Sequence, residues 1–193
     1  MKQNKQIRQK QIKITFVGDN NKQRNGFLQQ FFKLSNNCFI QVVEEYIEGE
    51  CTINNQLVSY KLQDTPCQED YDRIRHLYYR ETDIFVVCYQ VVDLTNADIK
   101  QSFNNIRTKW IPEIRQYSNA PIIILGTESE LLHTPALQIQ DEEITELVRD
   151  VGAQMHIISS SKHKYNIQLV IHQALHIILN QRETTRKKCK CCK

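Results

Sequence analysis

Apolar and polar positions along this chain follow two periods, one of two residues and one of about 3.6. Ile12-Lys13-Ile14-Thr15-Phe16-Val17 alternates and is rich in β-branched residues, which predicts a strand. Gly18-Asp19 and a polar stretch to Asn25 follow, and then Phe27-Leu28 and Phe31-Phe32 recur at helical spacing. Ile47–Ile53 and Gln56–Leu62 flank Asn54-Asn55, a pair suited to a tight hairpin turn. Asp83–Val91 and Pro121–Leu125 are continuously apolar and read as strands buried on both faces. Ile99, Phe103, Ile106 and Trp110 fall on one face of a helix over 98–111. Asp141-Glu142-Glu143 open a further helix, lined by Ile144, Leu147, Val148 and Val151 and ended by Gly152. Met155–Ile158 is a last strand, and Ile167, Val170, Ile171, Ala174, Leu175 and Ile178 line a final helix. Strand–helix alternation of this kind predicts an α/β domain: a six-stranded, mostly parallel sheet with one antiparallel hairpin strand and helices on both faces.

A length of 193 residues suits one domain with one sizeable core. The longest apolar runs are far too short to span a bilayer. Residues 1–11 carry no apolar core and do not form a secretory signal. The net charge of +3 is unevenly spread: residues 1–13 and 182–193 carry +5 each, which leaves the middle at −7. The expected organisation is a basic extension over 1–10, a globular domain over 11–181 and a polybasic, Cys-rich tail over 182–193. Basic ends on an acidic body point to an anionic surface as partner, the alternative being solvated, disordered ends. Because the positive charge is terminal, with little aromatic interleaving, no nucleic-acid partner is expected. Of the seven cysteines, Cys38, Cys51, Cys67 and Cys88 lack metal-ligand spacing and read as reduced thiols, whereas Cys189, Cys191 and Cys192 cluster at the end of the chain.

Strand, polar loop and helix over 12–32 form the frame of a phosphate-binding loop. After the hairpin comes Asp64-Thr65-Pro66-Cys67-Gln68-Glu69-Asp70-Tyr71-Asp72-Arg73-Ile74-Arg75. It resembles the second switch region of small GTPases, and its continuation is similar to the Rho/Rac branch. Lys109-Trp110-Ile111-Pro112-Glu113-Ile114-Arg115 resembles the Rho-family Lys-Trp-x-Pro-Glu-Val-Arg. The resemblance covers about residues 11–181 and implies a P-loop NTPase-type G domain that takes GTP or GDP with Mg²⁺. It implies nucleotide contacts from Gly18, Asp19, Asn20, Asn21, Lys22, Gln23, Arg24, Asn25, Cys67, Thr127, Glu128, Glu130, Ser159 and Ser160. It further implies Mg²⁺ contacts from Asn25 and Asp64, and a water-orienting, catalytic Gln68.

The family pattern is not matched throughout. Gln23, Arg24 and Asn25 stand where the phosphate loop has Gly, Lys and Ser/Thr, and Arg is not a neutral replacement for Lys. Gln41 or Val42 stands at the Thr of the first switch. Pro66 and Cys67 replace Ala and Gly, which stiffens the second switch. Glu128 and Glu130 stand for the Lys and Asp that read guanine, and the helix inserted after this motif in Rho proteins is missing. Two readings follow: a GTP-binding switch with slow or absent hydrolysis, or a pseudo-GTPase that binds partners without a nucleotide cycle. In both, Glu44, Glu45, Tyr46, Tyr71, Asp72, Arg73 and Arg75 are the expected surface for protein effectors and regulators, a solvated strand edge being the alternative for Glu44, Glu45 and Tyr46, and a monomer is expected. The tail is not a C-a-a-X box. It looks more like a Cys-Cys-x ending or a palmitoylation segment, with Cys189, Cys191 and Cys192 as lipidation sites beside a basic cluster. A chance or metal-binding tail is the alternative. The expected location is the cytoplasm, peripheral on the cytoplasmic face of a membrane.

Overall fold

The computed structural model describes residues 10–19, 21–34, 40–43, 46–91, 96–127 and 139–191. In chain order its elements are β1 (Ile12–Gly18), α1 (Asn21–Leu34), β2 (Ile40–Val43), β3 (Tyr46–Ile53), β4 (Gln56–Asp64), α2 (Asp72–Tyr79), β5 (Ile84–Gln90), α3 (Asn96–Asn105), α4 (Ile111–Tyr117), β6 (Ile122–Thr127), α5 (Asp141–Val151), β7 (Met155–Ile158) and α6 (Ile167–Cys191). A 3-10 turn, Glu69–Tyr71, leads into α2, and a π-helical turn, Ile106–Trp110, joins α3 to α4.

All strands share one sheet in the order β2-β3-β4-β1-β5-β6-β7. The β4–β1–β5–β6–β7 pairings are parallel, and β2–β3 and β3–β4 are antiparallel. The six expected strands are all present, and the short edge strand β2 adds to them. Asn54 and Asn55 take φ of 51° and 60°, the left-handed pair that matches hairpin twist. Gly152 ends α5 at φ 65°, as its place after the last apolar position predicts.

Successive strand residues face opposite ways, so each buried strand feeds two cores. Phe16 and Val86 join one core with Phe27 and Phe31 of α1 and with Ile171 and Leu175 of α6. Val17, Phe85 and Val87 join the other with Ile106, Trp110 and Leu147. The parallel strands end together at Gly18, Asp64, Gln90 and Thr127, and this is the edge where ligands sit in open α/β sheets. At the opposite edge Arg182 of α6 donates to the Lys10 carbonyl at 2.9 Å and pairs with Asp83 Oδ1 at 2.9 Å. Lys10 and the second half of the last helix are thereby held side by side. Among the described residues no helix is long and apolar enough to cross a membrane.

Candidate functional site

The site is built where β1 turns into α1. Gly18 has φ 154°, and a Cβ there would lie 2.3 Å from the Cys88 carbonyl oxygen, so only glycine lets β1 end against β5. Burial pushes the neighbouring Cys88 thiol up to about 12, which keeps it an inert packing group. Asp19 is fixed from the other side: Trp110 Nε1 donates to its Oδ1 at 2.8 Å, and Asn105 Nδ2 to its Oδ2 at 3.0 Å. Trp110, expected as core, is buried as expected and also tethers this loop to the π-helical turn.

Arg24 dominates the site. It lies in α1 and is only 1% exposed. Its Nε donates to Asp64 Oδ1 at 2.6 Å, Nη2 donates to the Thr65 carbonyl at 2.5 Å, and Nη1 donates to the Gly18 carbonyl. Parallel pairing of β1 with β4, Phe16 opposite Asp64, brings the two strand ends within reach of one guanidinium. Thr65 is held as well, its Oγ1 donating to the Phe16 carbonyl at 2.8 Å. Burial pushes the Asp64 carboxyl above its usual value, and the Arg24 charge opposes that shift. Asn25, the next residue, is exposed.

The segment after Asp64 is pinned by a second buried arginine. Arg75, expected on the partner surface, is fully buried. Its Nε donates to the Pro66 carbonyl at 2.7 Å and its Nη2 to the Gln68 carbonyl at 2.8 Å. It also pairs with Asp72 at 2.6 Å and with Glu113 at 2.9 Å. The reason for the departure is that carbonyls at the turn into α2 point inward and need donors, and the guanidinium fork supplies several at once. Tyr79 completes the cluster by donating to Glu113 at 2.6 Å, and burial raises its pKa well above the ordinary phenol value. Gln68, Tyr71, Asp72 and Arg73 remain exposed, as do Ile74 and Leu77. A cleft of about 280 Å³ lies beside them, lined by Gln63, Asp64, Thr65, Pro66, Gln68, Tyr71 and Tyr78.

A family model described as the Ras family matches residues 10–180. The chain belongs to the Ras family. Proteins of this family are small GTP-binding proteins that take guanine nucleotide with Mg²⁺, and the sheet and helices described above are those of its G domain.

Whether this Ras-family site suits those ligands can be asked of its donors. A strand, a glycine turn and a helix N-terminus fit a phosphate chain. A divalent ion fits poorly. The Asp64 carboxylate and the Gly18 and Thr65 carbonyls are oxygens of the kind such an ion needs, and the Arg24 guanidinium engages all three. Among the described residues no group of three or more His, Cys, Asp or Glu side chains could hold a metal.

The remaining expected residues lie as follows. Asn21, Lys22 and Gln23 form the first turn of α1. Cys67 is half-buried against the second core. Thr127 is buried at the end of β6, donating to the Tyr89 carbonyl at 3.1 Å. The Ser159 N–H donates to the Gly126 carbonyl at 2.8 Å, and Ser160 exchanges backbone hydrogen bonds with Tyr165. Tyr46 stands on β3 with Lys61 Nζ 3.3 Å from its ring centroid. Asn20, Glu44, Glu45, Glu128, Glu130 and Cys192 lie outside the described residues. So do Gln41 and Val42 in their side chains, and the stretch where the inserted helix would fall. Cys189 and Cys191 form the end of α6.

Sequence reasoning missed the pairing of Arg24 with Asp64, having assigned both to ligands. It also missed His156, whose Nε2 sits 2.8 Å from Tyr89 Oη and whose pKa burial lowers to about 4, the Asp141 charge opposing. No sequence motif marks that histidine. The register of β7 beside β6 alone places it.

Proposed function

We propose that this Ras-family protein is of Rho type: a guanine-nucleotide-bound signalling protein in which hydrolysis is slow or absent, acting at an anionic membrane surface through its α2 region. The observation that carries this reading is the exposed row of Tyr71, at the turn into α2, and Ile74 and Leu77 on α2, at 37%, 44% and 51% exposure, spaced three residues apart beside a turn fixed by Arg75. Apolar residues displayed at i, i+3 and i+6 on a braced helix make a surface for protein effectors and regulators.

Slow hydrolysis is supported by the same brace. Gln68 keeps an exposed side chain, but its carbonyl and that of Pro66 are held by Arg75, so the segment has little freedom to close on a terminal phosphate. Membrane action is supported by the Arg182 link, which holds Lys10 and Arg182, one residue of each +5 segment, together at the edge away from Gly18 and Asp64. A lipid on Cys189, Cys191 or Cys192 together with that charge would make a two-signal anchor.

Single-turnover hydrolysis by the full-length protein, with sedimentation on vesicles, tests the proposal. GTP should persist for hours, and the protein should sediment with anionic vesicles and not with neutral ones. Turnover within minutes, or sedimentation indifferent to lipid charge, would sink the corresponding half of the reading.

A second reading, a pseudo-GTPase interaction module, is favoured by one observation: the charge that should meet phosphate is buried at 1% exposure against Asp64. It shares the α2 surface with the first reading and differs in predicting no bound nucleotide.

A further inference from the structure

The ends of β1 and β4 bring three oxygens to one place beside Arg24 of α1: Asp64 Oδ1 and the carbonyls of Gly18 and Thr65. Converging carboxylate and carbonyl oxygens hold hard cations. Here the cation is part of the chain. We propose that the Arg24 guanidinium is a built-in replacement for a divalent metal ion, so that the site closes, and holds a phosphate chain, without Mg²⁺.

Three features fit this role. The guanidinium is planar and presents its donors in fixed, spread directions, so Nε, Nη1 and Nη2 each reach a different oxygen. The side chain is buried, so the pairing with Asp64 at 2.6 Å belongs to the folded core and is not a passing surface contact. The three acceptors come from two strand ends 46 to 47 residues apart in sequence, Gly18 against Asp64 and Thr65, and joining such ends is what a bridging metal does. A metal is bound or lost with its concentration, whereas Arg24 is permanent. The site is therefore fixed in the state that a metal would otherwise impose. Retention of phosphate in that state rests on the nucleotide binding proposed above. The exclusion of the metal from Asp64 rests on the geometry alone.

The test uses thermal unfolding and equilibrium binding of the full-length protein with GDP and GTP, in millimolar Mg²⁺ and in EDTA. The wild type should bind with the same Kd in both, within about twofold, and show the same melting shift. Arg24→Lys should bring in a metal requirement of about tenfold or more in Kd. A tenfold loss of wild-type affinity in EDTA would overturn the proposal while leaving nucleotide binding in place. If no nucleotide binds under either condition, the nucleotide reading fails, and Mg²⁺ alone decides the Arg24 proposal. Arg24→Gln, or Arg24→Lys should the former not fold, should then melt higher in millimolar Mg²⁺ while the wild type does not respond. A wild-type response, or a variant without one, would overturn the proposal.

Discussion

Two buried arginines stand on either side of Pro66, and they have opposite consequences. Arg24 turns inward on the strand ends and spends its charge on Asp64 and two carbonyls, so it rebuilds the place where ligand would meet the chain. Arg75 also binds two carbonyls and two carboxylates, yet it leaves the outer face of α2 open, with Ile74 and Leu77 exposed beside it. One arginine alters the pocket, and the other preserves the surface. The contrast teaches that a fold can change its ligand chemistry while the helix proposed above to meet partners keeps its shape, because the two are braced by separate side chains.

The contrast breaks most visibly by removing the first brace. Arg24→Ala leaves the half-buried Asp64 carboxylate and two carbonyls without their donor, and should cost about 3–5 kcal/mol in a denaturant titration. Arg75→Met should cost somewhat less, about 2–4 kcal/mol, because Asp72 is half exposed and can turn to water. Hydrogen exchange separates the two variants: amides of residues 67–72 should exchange faster in Arg75→Met, while those around Gly18 stay protected.

A third effect lies outside both braces and serves as their control. Burial lowers the His156 pKa to about 4 in the folded protein, against an ordinary 6.5, so between these values the unfolded chain binds a proton that the folded protein refuses. Stability should therefore fall as pH drops from about 6.5 toward 4, by on the order of 3 kcal/mol at most. Comparing the wild type with His156→Asn at matched pH isolates this share, since the asparagine keeps a polar partner for Tyr89 without titrating. The smallest effect on folding should come from Leu77→Glu on the exposed face, within about 0.5 kcal/mol of the wild type. Loss of partner capture at unchanged melting temperature would locate function on α2, whereas unchanged capture would place it elsewhere.

Much of the scaffold is legible in the sequence because it is a matter of period. Runs such as Ile84–Tyr89 need no context to be read as buried strands, and Asn54-Asn55 and Gly152 carry their backbone demands in their residue type. The edge strand β2 was not read out, since four residues at a sheet edge show no period that separates them from a loop. The π-helical turn is hidden for a different reason: Phe103, Ile106 and Trp110 keep one face through it, so the apolar pattern does not register the change of winding.

The site was legible as a set of residues and not as a set of contacts. Gly18, Arg24 and Asp64 were all picked out, each for a ligand. Their mutual bonding depends on β1 and β4 lying side by side, a pairing across 48 residues, Phe16 with Asp64, that no local pattern announces. Arg75 misled for the converse reason. A charged residue amid Asp72, Arg73 and His76 reads as solvated, and only the inward carbonyls of Pro66 and Gln68 draw it into the core.

Nucleotide content is the measurement that bears most directly on the central claim. The full-length protein is purified, denatured, and its released GDP and GTP are separated and quantified. About one mole of guanine nucleotide per mole of chain, with GTP surviving the preparation, is the expected result for a nucleotide-bound protein that hydrolyses slowly. A folded protein that releases no nucleotide, and whose melting temperature is unmoved by added GTP or GDP with or without Mg²⁺, would contradict it.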